Sequence, residues 1–164
     1  MNYLNELERF SIVLFSIIFI IQSLFINFKL YGFGLLGYII NEKLNNIFKN
    51  DIAKPLMDKN KFTILGYGTR PKGAKNCGIL SDGKLSKSYG MPSGHSQDAV
   101  YFATFQFLNT TNIYYKILVI FIGLWVMFSR VKLGCHTYQQ VIIGGIIGSV
   151  IAFIWNKLYQ KLIK

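Results

Sequence analysis

Nineteen consecutive residues, Phe10 to Phe28 (FSIVLFSIIFIIQSLFINF), carry no charge. At a rise of about 1.5 Å per residue, a helix of that length crosses most of a bilayer's hydrocarbon core. This run commits the chain to a membrane setting, where spanning segments must satisfy their own backbone hydrogen bonds. A cleaved signal peptide is the competing reading. The mixed charge of MNYLNELER, the length of the run and the lack of a small-residue cleavage site before Lys29 favour a retained helix.

Further apolar segments follow. Leu30 to Lys49 starts apolar and ends in the polar NEKLNNIFK, as a returning helix that emerges from lipid would. Residues 50–92 hold all three prolines (Pro55, Pro71 and Pro92) and eight Lys or Arg, and read as one long hydrophilic loop. Ser96 to Asn109, Ile113 to Ser129 and Thr137 to Trp155 read as three more helices. In the last, Gly144 and Gly148 stand four apart, as do Gly145 and Ser149, which lets a neighbouring helix approach closely. The C-terminal NKLYQKLIK reads as a basic interfacial tail. The expected fold is an all-α integral membrane bundle of about five transmembrane helices with one active-site loop, a single domain over residues 1–164.

The composition agrees: 52% of residues are hydrophobic, 16% aromatic and only 15% charged. With two cysteines, Cys77 and Cys135, a disulfide-framework domain is excluded, and neither cysteine is given a role. The net charge of +11 calls for an anionic partner, namely a lipid head group, nucleic acid or a phosphate-bearing substrate. The basic loop lacks aromatic stacking platforms beyond Phe62 and Tyr67, which disfavours nucleic acid.

Five crossings place the 49–95 loop and the 130–136 turn on one side of the membrane, and with them both histidines, His95 and His136. Most of the cations fall there too. The positive-inside rule would make that side cytosolic, but cations kept to hold a phosphate carry no information about insertion, so orientation stays open. In MPSGH, Pro92 stops a preceding helix while Ser93 and Gly94 offer a hydroxyl and an unhindered N–H at a helix N-terminus, a geometry suited to a phosphate oxygen. Ser129 and Arg130 lead through a short turn to His136, so a guanidinium and an imidazole can converge on one anion. One neutral histidine can attack phosphorus while a second, protonated, serves the leaving oxygen, and this pairing needs neither metal nor cofactor. The plain alternatives are an interfacial histidine, a common PSG turn and a lysine-rich loop that solvates or sits on anionic lipid.

Three motifs, Arg70-Pro71, PSGH (Pro92 to His95) and Ser129-Arg130 followed after five residues by His136, resemble the three-part signature of the type 2 phosphatidic acid phosphatase superfamily. GYIINEKLNNIFKN, YGMPSGHSQ and SRVKLGCHTYQQVIIGGIIG are similar to the dolichyl-diphosphatase branch, and the resemblance runs from about Gly37 to Trp155. It implies metal-independent hydrolysis in a helical membrane bundle. It also implies that Lys49 and Arg70 bind phosphate, that Ser93 and Gly94 donate to its oxygens, and that Arg130 clamps them. His95 would be the general acid and His136 the nucleophile that becomes a phosphohistidine.

Two departures stand out. Twenty residues separate Lys49 from Arg70 where the superfamily's spacing is short, so Leu56 to Thr69 reads as an insertion, expected to form a lid, and Lys54 or Lys61 could supply the cation instead. Four residues after His136 the superfamily carries aspartate; this chain, like the dolichyl-diphosphatase branch, has Gln140, which can orient an imidazole without bringing charge. The resemblance implies a polyprenyl (dolichyl) diphosphate substrate and, in a eukaryotic setting, the endoplasmic reticulum membrane. The alternatives are phosphatidate or another lipid phosphate, and a non-catalytic membrane protein that binds anionic lipid.

Overall fold

In the computed structural model, residues 10–57, 61, 62, 64–77 and 84–163 are described. Five helices dominate: α1 (Ser11–Phe25), α2 (Phe28–Ile47), α3 (Gly94–Leu108), α4 (Ile113–Lys132) and α5 (Tyr138–Leu162). Side-chain caps set three of the starts. Asn27 accepts from the Leu30 N–H, Asn112 from the Tyr115 N–H, and Thr137 forms a capping box with Gln140.

Helix α4 (20 residues) and helix α5 (25 residues) are long and apolar enough to cross a membrane, while α1 is apolar but shorter at 15 residues. Their outward faces are bare hydrocarbon, with Ile117, Phe121, Leu124, Ile146 and Phe153 all exposed. A surface of that kind suits lipid rather than water. Inside, Phe15, Phe19, Tyr38, Tyr101, Phe102 and Phe105 form an aromatic core between α1, α2 and α3, with Phe15 stacked on Phe102 at 4.5 Å between centroids.

Helix α3 is the central element. Against it lies the glycine notch of α5. A methyl group on Gly144 would come within 2.5 Å of the Ser93 carbonyl oxygen, and one on Gly148 would overlap the Gln97 carbonyl oxygen. The two backbones therefore touch, which is what small residues at a membrane helix interface permit. On its other side α3 is tied to α2 by a buried amide network. Asn45 Nδ2 donates to Gln97 Oε1 (2.8 Å), Gln97 Nε2 to Asn41 Oδ1 (3.0 Å), and Asn41 Nδ2 to Asp98 Oδ1 (2.7 Å). Such bonds hold helices together where no hydrophobic force acts between them.

Three boundaries differ from those read from sequence. Helix α2 does not give way to loop at residue 50; it runs into a π-helical turn, Phe48–Ala53, and a last α-turn, Lys54–Met57. The helical pattern is carried on by the burial of Lys49 and by the packing of Ala53 and Met57 against Met91, a pairing between distant segments that local composition does not display. The C-terminal stretch is no separate tail, because α5 continues to Leu162 with Asn156 and Tyr159 buried. The loop also holds a small antiparallel ladder, β1 (Lys61–Phe62) with β2 (Gly66–Tyr67).

Candidate active site

The site lies where the ends of α2, α3, α4 and α5 meet loop residues 66–77 and 84–90. Met91–Pro92 is a cis peptide, and Ser93 is the N-cap of α3. The N–H groups of Gly94, His95 and Ser96 belong to the first helical turn, which has no acceptors of its own. Ser93 is fully buried. Its N–H donates to the Gln140 carbonyl (3.0 Å), and its hydroxyl is shared with that of Ser96 (2.9 Å). His95 is half-buried, and its Nε2 is shielded without a hydrogen-bond partner among the described residues. Lys49, Arg70 and Arg130 all lie within electrostatic range of it.

His136 stands in the turn between α4 and α5, 4% exposed. Leu133, Cys135 and His136 fold back on α4, the N–H groups of the latter two both donating to the Arg130 carbonyl, and Gly134 takes the left-handed conformation (φ 68°) that closes the turn. Its imidazole is held at both nitrogens, Nδ1 lying 3.0 Å from Gln140 Oε1 and Nε2 3.1 Å from Arg70 Nη1.

The Gln140 amide fixes the tautomer of that ring. Its Nε2 donates to the carbonyls of Tyr67 (3.0 Å) and Thr69 (2.7 Å), so the oxygen must face the imidazole. Nδ1 therefore carries the hydrogen and Nε2 the lone pair. An aspartate or glutamate here would set a carboxylate against two carbonyl oxygens, which is the physical reason for an amide at this position. Burial, and next the charge of Arg70, hold the His136 pKa well below its ordinary value, so the ring is neutral at neutral pH.

Arg70 reaches in from the loop. Its Nη2 donates to the Ser88 hydroxyl (2.8 Å), its Nε to the Ser88 carbonyl (3.1 Å), and its Nη1 to the Cys135 carbonyl (2.9 Å). Arg130 is fully buried at the end of α4, with Nε on the Ser129 hydroxyl (3.2 Å) and Nη1 on the Cys77 carbonyl (3.4 Å). Lys49, in the π-helical turn, is 9% exposed; burial, then the charge of Arg70, brings its pKa down to about 8. Lys54 is exposed beside Arg70 in a polar cleft of about 400 Å³, and the side chain of Lys61 lies outside the described residues.

Residues 34–164 match the family model described as the PAP2 superfamily. This chain belongs to that superfamily. Among proteins similar to it are Dolichyldiphosphatase 1 of Homo sapiens, 31% identical over 143 residues (77% of this chain, 52% of that protein), and Dolichyldiphosphatase 1 of Dictyostelium discoideum, 40% identical over 89 residues (48% and 39%). Lipid phosphate phosphatase epsilon 1, chloroplastic, of Arabidopsis thaliana is 28% identical over 88 residues (49% and 32%). The chain spans about half the length of the curated dolichyldiphosphatase of Homo sapiens that it matches. No solved structure matches it.

Of the residues expected from sequence, Lys49, Arg70, Arg130 and His136 lie within electrostatic range of His95, Gln140 is bonded to His136, and Ser93 and Gly94 begin the helix that carries His95. Sequence reading did not single out Ser88, Ser96, Asn41 or Gln97, and it passed over Asn45. It also gave the cysteines no role, yet Cys77 and Cys135 are joined as a disulfide. A separation of 58 residues leaves no local signal of that pairing.

Proposed function

We propose that the chain is an integral membrane phosphatase that removes the terminal phosphate of a polyprenyl diphosphate, dolichyl diphosphate in a eukaryotic setting, through a phosphohistidine on His136. The observation that carries this reading is the His136 lone pair at Nε2, fixed by Gln140 and set among Arg70, Lys49 and the second histidine.

Arg70 Nη1 lies on that lone pair in the structure. When the terminal phosphate enters, Arg70 transfers its bond to a phosphoryl oxygen, and Lys49, Arg130 and the first-turn N–H groups of α3 take up the remaining charge. Nε2 then attacks phosphorus in line as the bond to the bridging oxygen breaks. His95, protonated in the presence of the dianion, gives its proton to the departing lipid phosphate. Next it accepts one from the water that attacks the phosphohistidine, which releases inorganic phosphate and restores both rings. Each step is served by residues of this chain, so turnover is expected to resist chelators.

The lipid tail would lie against the apolar exterior, with all five helices as spans and the diphosphate at one membrane surface. The disulfide beside the site supports an orientation toward an oxidising compartment such as the endoplasmic reticulum lumen. Of the expected lid, residues 56–69, positions 58–60 and 63 lie outside the described residues; Tyr67 and Thr69 at its end are bonded to Gln140, which supports a place for that end beside the site. The likeness to a lipid phosphate phosphatase keeps phosphatidate as the second reading.

The deciding experiment is phosphate release by detergent-purified protein in excess chelator, from a long-chain polyprenyl diphosphate and from phosphatidate, beside His136→Ala. Chelator-resistant release that favours the diphosphate and disappears in His136→Ala is expected. Normal release by His136→Ala would overturn the mechanism, and preference for phosphatidate would overturn the substrate.

A further inference from the structure

The disulfide's place in the site goes beyond fastening a loop. Cys135 immediately precedes His136, and the chain bearing Cys77 descends from Arg70 through Pro71 and Ala74. Each half of the cystine presents its own backbone carbonyl to one of the two site arginines, Cys135 to Arg70 Nη1 (2.9 Å) and Cys77 to Arg130 Nη1 (3.4 Å). Cys135 is also bound through its N–H to the Arg130 carbonyl (3.0 Å). The two arginines come from opposite halves of the site, one from the loop and one from the end of α4. Covalently joined, the two carbonyls cannot drift apart, and neither can the guanidinium groups that they orient.

We infer that Cys77 and Cys135 are positioning residues for the phosphate site, and that affinity for the phosphoryl group depends on their bond being intact. This rests on the phosphatase reading for the identity of the substrate, but not for the anion site itself. Cys135 is fully buried and Cys77 half-buried, so a reductant enters from the loop side. A small dithiol would supply the two electrons. One of its thiolates attacks a cystine sulfur and displaces the other as a thiolate, and its second thiol then resolves the mixed disulfide. The dithiol leaves oxidised and Cys77 and Cys135 remain as free thiols. The loop stays attached through Gln140 and the Gly68 carbonyl, which accepts from the N–H groups of Gly90 and Met91, so reduction loosens the arginines without detaching the loop.

The test uses the full chain in detergent. Thiol titration of unreduced, denatured protein should find no free cysteine. Complete reduction of the folded protein with dithiothreitol should raise KM for polyprenyl diphosphate about tenfold, the effect of weakening one or two charge-assisted hydrogen bonds, with a smaller change in kcat. The Kd for inorganic phosphate, read by calorimetry, should rise in parallel. Cys77→Ser/Cys135→Ser should reproduce the raised KM and ignore dithiothreitol; should it fail to fold, reduction of the native protein carries the comparison alone. Free thiols in the unreduced protein would overturn the inference. So would an unchanged KM and phosphate Kd after full reduction, even with a lower melting temperature, because the bond would then be merely structural. Phosphate binding needs no turnover, so redox-dependent binding without lipid hydrolysis would fault the substrate reading and leave this inference standing.

Discussion

Lys49 should set the alkaline limb of activity. Its ammonium is buried beside Arg70, and its pKa of about 8 against an ordinary 10.5 corresponds to ~3 kcal/mol by which burial and the neighbouring guanidinium disfavour the charge. At pH 7 the group is still ~90% protonated, and at pH 9 only ~10%. The terminal phosphoryl group of a diphosphate, like that of a phosphate monoester, loses its last proton near pH ~6, so it is already doubly charged before this limb begins. The free-enzyme parameter kcat/KM should therefore fall above a midpoint near pH 8. In kcat the midpoint should lie higher, because a bound dianion restores the charged lysine. Lys49→Arg keeps a cation that does not titrate in this range and should abolish the limb. Lys49→Met should lower kcat/KM at pH 7 by ~10–100-fold, the worth of a hydrogen bond to a charged group, and leave it flat through the same range. The assay is phosphate release at subsaturating polyprenyl diphosphate across about pH 6 to 10, with Lys54→Met as control. A limb unmoved in Lys49→Arg, or moved by Lys54→Met, would refute the assignment and return the role to another cation.

Three further substitutions probe the scaffold. Gln140→Glu replaces two donors by oxygens facing the Tyr67 and Thr69 carbonyls; kcat/KM should drop ~100-fold and limited proteolysis of the 64–77 segment should accelerate, a result that unchanged cleavage would contradict. Gly148→Ala forces a methyl group onto the Gln97 carbonyl and should cost ~1–3 kcal/mol, read as a lower melting temperature in detergent; an unchanged melting temperature would mean that the helices are less close than described. Asn45→Ala strands the buried Gln97 Oε1 at a cost of ~1–3 kcal/mol, whereas Asn45→Gln, which keeps a donor, should lose less; equal losses would show that packing and not the hydrogen bond matters.

Much of this was legible in the sequence because it is local. The uncharged run of α1, the apolar stretches of α4 and α5, and the Gly144–Gly148 spacing all announce themselves within a few turns. So do PSGH and the step from Arg130 to His136, which the structure puts at the start of α3 and between α4 and α5. What the sequence concealed depends on partners far away. Nothing near Asn45 foretells Gln97, 52 positions on, and nothing near Gln140 foretells the Tyr67 carbonyl, 73 positions back. The π-helical turn belongs to the same class, since Phe48 to Ala53 has no unusual composition and Ala53 is buried in a cluster with the distant Met91. Gln140 itself was noticed as a replacement for a carboxylate, but half of its function lies in the amide nitrogen, which only the folded loop explains.

The grip of Gln140 on the loop has an evolutionary consequence. It takes hold of main-chain oxygens, and every amino acid supplies those. The hold therefore reads backbone shape and is blind to the side chains carried there. Mutations can accumulate upstream of Tyr67, and residues can be gained or lost between Met57 and Gly66, without renegotiating the contact that keeps His136 in its working tautomer. A histidine oriented through an anchor of this kind leaves the side chains of the anchored segment free to diverge.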